Sequence, residues 1–286
     1  MDTIQMPLHR QKEIDVAVLR LDKIHPLISG NKWFKLKYYL EDASMQQKKT
    51  IATFGGAYSN HILATAAVCK LKGLASIGII RGEEPSVLSP TLLQARELGM
   101  HLFFISREDY AQKKIPSAIT ASDIYWINEG GYGEKGAQGA STITTCFDQH
   151  NYTHICCAVG TGTMMAGLIT ASLPLQTVIG ISVLKNNLEI MNSVKPLLPE
   201  EKNNFHVFHD YHFGGYAKHK TELIRFMNEF YTHTMIPSDF VYTGKLFYAI
   251  NDLVEKNYFP SGSNVLIVHS GGLQGNVSLS KGTLIF

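Results

Sequence analysis

The strongest constraint on this chain is an alternation. Eight apolar runs of strand length, at 15–21, 50–54, 75–81, 101–106, 123–128, 154–159, 178–183 and 264–269, alternate with helix-length amphipathic segments. The helical segments lie at 33–47, 59–72, 90–98, 136–149, 163–172, 188–193, 218–231 and 245–256. Strands that are apolar on both faces cannot lie on a half-solvated sheet. Interleaved with helices, they predict mostly parallel sheets covered on two sides, an α/β fold. Ser89-Pro90 suits a helix cap followed by proline at the first helical position, and Gly73 and Gly99 stand where helices end. The glycine-rich stretch 128–138 is the least regular and suits a crossing between domains. Residues 197–213 mix Pro, Asn and His and are expected at the surface without a repeating pattern.

A length of 286 residues suits two domains or one large α/β unit, and 45% hydrophobic with 17% charged residues allows a sizeable core. A net charge of +2 carries no basic signature, so no nucleic-acid partner is implied. No apolar run reaches the roughly 18 residues of a membrane span, and residues 1–12 are polar, without a signal-peptide core. Cys69, Cys146, Cys156 and Cys157 lack metal or disulfide-framework spacing, which predicts a reduced, cytoplasmic setting. Cys156 and Cys157 fall in a predicted buried strand, where cysteine acts as a small hydrophobe. The twelve histidines show no metal-binding pattern, so no metal site is expected.

Chemistry concentrates in a few polar stretches. Lys32 stands in Ser29-Gly30-Asn31-Lys32-Trp33-Phe34-Lys35-Leu36, between an apolar run and a helix. Partial burial lowers a lysine's pKa, and the free amine then condenses with aldehydes. Lys35 is the nearest rival, with a helix-face charge as its plain reading. Gly55-Gly56-Ala57-Tyr58-Ser59-Asn60-His61 opens a second helix; a capped turn accounts for one of Ser59 and Asn60, not for the whole polar run. In Val159-Gly160-Thr161-Gly162-Thr163 a buried strand enters a helix start, where backbone N–H groups bind phosphate. No P-loop lysine follows, and no complete G-x-G-x-x-G with a distant acid is present, so the loop suits one phosphate monoester. Phe240-Val241-Tyr242-Thr243-Gly244-Lys245 and His269-Ser270-Gly271-Gly272 lie at later strand ends. Alone, Tyr242 reads as an ordinary strand-end aromatic.

Taken together, in this order, these stretches resemble the 1-aminocyclopropane-1-carboxylate (ACC) deaminase / D-cysteine desulfhydrase family. This is a branch of the pyridoxal-phosphate enzymes related to the tryptophan synthase β subunit. The resemblance runs from about Ile24 to Gly272, over G-G-N-K-x-R-K-L, G-G-x-x-S-N, T-G-[ST], V-Y-x-G-K and a Gly-Gly turn. Ser29, Phe34 and Met164 depart from the usual Gly, Arg and Thr. The resemblance implies a fold-type II architecture of two three-layer αβα domains. The large domain would comprise 1–34 and 132–286, and the small one 35–131. It implies pyridoxal 5'-phosphate on Lys32 as a Schiff base, with Asn60 at the ring hydroxyl and Gly160, Thr161, Gly162 and Thr163 around the phosphate. It further implies Tyr242 on the ring, Tyr216 as a second active-site tyrosine, Ser59 near the substrate, and a homodimer.

Thr243 and Ser270 match the hydroxyl residues of the desulfhydrase branch, where the deaminases carry Glu and Leu. A hydroxyl at the pyridine nitrogen makes a weaker electron sink than a carboxylate, which suits β-elimination of a good leaving group. The implied function is a lyase or deaminase acting on a small amino acid, most directly α,β-elimination of D-cysteine to pyruvate, ammonia and sulfide. Lys32 is the first choice of base. ACC deamination, a non-catalytic pyridoxal-phosphate or amino-acid binder, and a nucleotide-binding protein are the alternatives.

Overall fold

The structure is a computed structural model that describes residues 1–120 and 123–286. Among the described residues, ten strands form two sheets. They are β1 (Asp2–Ile4), β2 (Asp15–Arg20), β3 (Thr50–Gly55), β4 (Ala75–Arg81), β5 (Met100–Ile105), β6 (Ile124–Ile127), β7 (His154–Val159), β8 (Thr177–Ser182), β9 (Phe205–Phe208) and β10 (Asn264–His269). The helices are α1 (Pro7–Gln11), α2 (Asn31–Met45), α3 (Asn60–Lys72), α4 (Pro90–Glu97), α5 (Arg107–Ala111), α6 (Glu134–Ser141), α7 (Thr163–Ala171), α8 (Ile190–Val194), α9 (Thr221–Thr234) and α10 (Thr243–Glu255). One sheet has six strands in the order β1-β2-β10-β7-β8-β9, the other four in the order β5-β4-β3-β6. Every pairing is parallel except β1 with β2.

The side chains of β7 show why the large sheet is covered on both faces. Ile155, Cys157 and Val159 join a core with Met165, Leu168 and Ile169 of α7. Cys156 and Ala158 point the other way, into a core with Phe230 of α9 and Leu246, Phe247 and Ile250 of α10. This period-two alternation, apolar on both sides, makes three layers. Each fully buried Val or Ile here contributes about 2 kcal/mol. In the small sheet, Ile51 and Ile127 pack with α2 and α3, while Phe54 and Ile79 pack with Tyr110 of α5 on the opposite face.

The punctuation residues act as their chemistry predicts. Ser89 Oγ accepts the Leu92 N–H at 3.2 Å ahead of Pro90, and Gly73 ends α3 with φ of 66°. Among the described residues, no helix is long and apolar enough to cross a membrane.

Several local expectations differ. The stretch 197–213, read as irregular, contains β9, an edge strand paired with β8. The helix expected over 136–149 is α6 followed by 3-10 turns at Thr142–Cys146 and Gln149–Asn151. Strand β1 and helices α1 and α5 gave no periodic signal, because five residues or fewer cannot display one.

Candidate active site

Three strand ends and one helix start converge. Loops after β3, β7 and β10 meet the first turn of α2, at the carboxyl ends of the strands where α/β proteins bind ligands. Gly30 sets the approach. Its φ is 67°, and a Cβ there would stand 1.8 Å from the Ser270 carbonyl oxygen, so any side chain would push α2 off the turn after β10. The Asn31 N–H donates to that same carbonyl at 3.2 Å.

Lys32 is thereby turned into the cleft. Its Nζ donates to Asn31 Oδ1 at 2.8 Å, and Asn31 Nδ2 lies 3.3 Å from Met164 Sδ. Met164 directly follows Thr163, so two side chains separate the amine from the glycine–threonine loop. Burial lowers Lys32 from 10.5 to about 8, partly offset by the negative charge of Asp239. About a tenth of such a lysine is the free amine at neutral pH, several-hundred-fold more than for an ordinary exposed lysine.

The loop itself forms a cup at the N-terminus of α7. Gly162 takes φ of 81°, and Thr161 Oγ1 and Thr163 Oγ1 are 3.0 Å apart. A Cβ on Gly160 would stand 3.2 Å from Tyr242 Cε1, which places the Tyr242 ring against the cup. Tyr216 meets Tyr242 edge to face, with ring centroids 6.1 Å apart. Burial, reinforced by Tyr216 and Asp239, holds the Tyr242 phenol well above its ordinary pKa, so it stays protonated.

Across the cleft, Ser59 caps α3, its Oγ accepting the Ile62 N–H at 3.3 Å. That bond uses the oxygen and leaves the hydroxyl proton available. Asn60 Oδ1 is buried without a hydrogen-bond partner. A Cβ on Gly272 would stand 2.9 Å from Asn60 Nδ2 and 3.3 Å from Asp239 Oδ1, so Asn60 faces the turn after β10. The structure therefore brings Lys32, Ser59, Asn60, Gly160, Thr161, Gly162, Thr163, Tyr216, Tyr242, Thr243 and Ser270 to one cleft.

Two expectations change. Lys35 is no helix-face charge: it is 4% exposed, and its Nζ donates to the Gly130 carbonyl at 3.2 Å. Burial and the Lys32 charge push it well below 10.5. Its amine bonds the Gly130 carbonyl, whereas Lys32 bonds Asn31 Oδ1 and feels the negative charge of Asp239. Thr243 also differs. Its hydroxyl donates to Asp239 Oδ1 at 2.7 Å and accepts the Asp239 N–H at 2.8 Å. With its one proton engaged, it cannot also donate to a ring nitrogen.

Asp239, His61 and Lys245 are the residues that sequence reasoning missed. Asp239 is fully buried and accepts the N–H groups of Val241, Tyr242 and Thr243 at 2.9 Å each. His61 bonds Thr53 Oγ1 at 3.0 Å through Nε2, and its Nδ1 has no partner. Burial, with the charges of Lys32 and Lys35, keeps His61 neutral. The signals available were the crowding of polar residues in Ser59-Asn60-His61 and the acid three residues before Tyr242.

A depressed lysine, a hydroxyl-lined cup at a helix N-terminus, an aromatic ring against that cup and an unbonded buried amide suit an aldehyde-bearing aromatic phosphate. The pyridoxal-phosphate dependent enzyme model matches residues 4–271. The chain belongs to that family. Its cofactor is accordingly pyridoxal phosphate, and the donor set described above fits it. A Thermotoga maritima relative, provisionally named 1-aminocyclopropane-1-carboxylate deaminase, is 32% identical and covers 93% of this chain and 91% of its own. The Arabidopsis thaliana mitochondrial bifunctional D-cysteine desulfhydrase/1-aminocyclopropane-1-carboxylate deaminase is 26% identical over 87% of this chain and 70% of its own. A crystal structure of an ACC deaminase homologue superposes with a TM-score of 0.81 at 25% identity, covering 96% of this enzyme and 93% of that chain. The family resemblance and the fold-type II architecture are borne out.

Proposed function

We propose that this pyridoxal-phosphate enzyme eliminates the β-substituent of D-cysteine, giving pyruvate, ammonia and sulfide. When bound, the cofactor supplies an electron sink for the substrate's α-carbon. Lys32 would hold its aldehyde carbon, Gly160, Thr161, Gly162 and Thr163 its phosphate, Asn60 its ring hydroxyl and Tyr242 its ring face. Ser270 would face the ring nitrogen. Thr243, bonded to Asp239, fixes Tyr242 from behind.

The chain's own residues then divide the remaining work. Lys32 Nζ, lowered to about 8, accepts the α-proton. Ser59, whose hydroxyl proton is not used by its helix cap, orients the substrate carboxylate. Tyr216 and Tyr242, held edge to face, line the side on which the leaving group departs.

The observation that carries the choice of D-cysteine is the absence of an ionisable side chain at 243 and 270. Of the buried carboxylates nearby, Asp239 is bonded to three backbone N–H groups and a hydroxyl, and Asp22 is paired with Arg20 at 2.6 Å. Among the described residues none of these carboxylates is left free to hold a proton on the ring nitrogen, and a good leaving group needs the least help from the sink. ACC deamination is the second reading. The name of the Thermotoga relative favours it, and that of the Arabidopsis relative carries both activities. Incubation of the loaded enzyme with each amino acid separates the two: sulfide from D-cysteine supports the first, and 2-oxobutanoate from ACC without sulfide overturns it.

We also propose that 35–131 forms a small domain and that 1–34 with 132–286 forms the large one. Support comes from the two sheets, which share no strand.

A further inference from the structure

Lys245 lies in the first turn of α10 and is 0% exposed. An amine is rarely buried so completely, because desolvating it is costly unless its donors are satisfied. Among the described residues no carboxylate lies within ion-pair distance of it; Asp239 acts on it only from further off. Its partners are main-chain carbonyls. Nζ donates to the Gly215 oxygen at 2.8 Å and approaches the Val183 oxygen at 3.5 Å.

These carbonyls belong to different elements. Val183 follows β8, whereas Gly215 opens the turn that carries Tyr216. The Gly215 oxygen also accepts the Lys218 N–H at 3.1 Å, which closes the turn around Tyr216. Gly215 has φ of 116°, and a Cβ there would stand 3.3 Å from Lys185 Cβ, so the turn is pressed onto the segment after β8. Tyr216 itself is 46% exposed and gains little from burial. Its ring is placed by the turn beneath it and by the edge contact with Tyr242.

We propose that Lys245 is a positioning residue: through the Gly215 carbonyl it fastens the Tyr216 turn to α10 and β8, and so holds Tyr216 against Tyr242 at the mouth of the cleft. The α10 helix thus places both tyrosines, Tyr242 at its start and Tyr216 through the lysine three residues on. The catalytic part of this inference rests on the reading of the cleft as an elimination site; the fastening does not.

The test is amide hydrogen exchange on the holoenzyme, with Lys245→Met keeping the stem and removing the donors. The Gly215 and Lys218 amides should exchange about tenfold faster or more, with α7 unchanged. Turnover of D-cysteine should show a double-mutant signature: Lys245→Met lowers kcat/KM about tenfold in the parent but less than about twofold in a Tyr216→Ala background. Unchanged exchange, or fully additive losses, overturns the proposal. Where Lys245→Met does not fold, the parent protein decides: protected Gly215 and Lys218 amides agree, and exchange at the free-peptide rate overturns it. Faster exchange with no sulfide from D-cysteine keeps the fastening and removes the proposed substrate, so the two failures are distinct.

Discussion

On the side of the cleft built from the six-stranded sheet, the polar groups are already paired. Asp239 accepts four hydrogen bonds, Thr243 makes two, Thr161 and Thr163 face each other, and Lys245 is held by carbonyls. On the side built from the four-stranded sheet, Asn60 Oδ1 and His61 Nδ1 are buried and unpartnered. A buried polar atom without a bond costs about 1–3 kcal/mol. The first side therefore keeps its shape unaided and serves as the anchor. The second carries an unmet hydrogen-bonding need that an arriving ligand can satisfy, which is where binding and recognition gain most.

The largest effect should separate two amines on one helix. Lys32→Ala should lower elimination by about 10³-fold or more and abolish the visible absorbance of the loaded enzyme. Lys35→Met should keep that absorbance. Loss of colour in Lys35→Met with colour retained in Lys32→Ala would invert the account.

Next comes Asp239→Asn, on the anchored side. Losing an acceptor bonded to backbone N–H groups should lower unfolding stability by about 2 kcal/mol in a denaturant titration. It should also move a pH profile. Asp239 raises the Lys32 pKa, so removing its charge lowers that pKa further. In the parent, attack of Lys32 on pyridoxal phosphate should accelerate as pH rises through about 8, because only the unprotonated amine reacts. In Asp239→Asn the same rise should come at lower pH, and an unmoved profile would break the link between these groups.

Asn60→Ala probes the unbonded side. Its Oδ1 has no partner, so apo stability should hold or rise, by up to about 1–3 kcal/mol, while cofactor affinity falls about tenfold. A large loss of apo stability would show that this side is not open in the way described. The smallest effect is Ser59→Ala, which removes a helix cap worth about 1 kcal/mol.

Much of this was legible beforehand, for reasons that can be named. Strands such as His154–Val159 announce themselves because both faces are apolar, and the Ser89 and Gly73 boundaries because their chemistry is local. The edge strand Phe205–Phe208 was not legible: it is short, half-buried and flanked by Asn and His. The site divides the same way. Lys32, Asn60 and the cup sit in glycine-marked loops whose local composition points to ligand chemistry. Asp239 carries no motif signal, since its partners are backbone N–H groups two to four residues on, and Lys245, though in the Val-Tyr-Thr-Gly-Lys stretch, looks like an ordinary surface charge until α10 packs against segments some 30 to 60 residues away. Lys35 misleads for the same reason: its helix position suits solvent, and only the packing of the stretch around Gly130 and Gly131 encloses it.

The most direct test of the central claim is borohydride reduction of the loaded enzyme followed by peptide mapping. The account predicts a pyridoxyl group on Lys32 alone. A label on Lys35 or Lys245, with Lys32 unmodified, would contradict it.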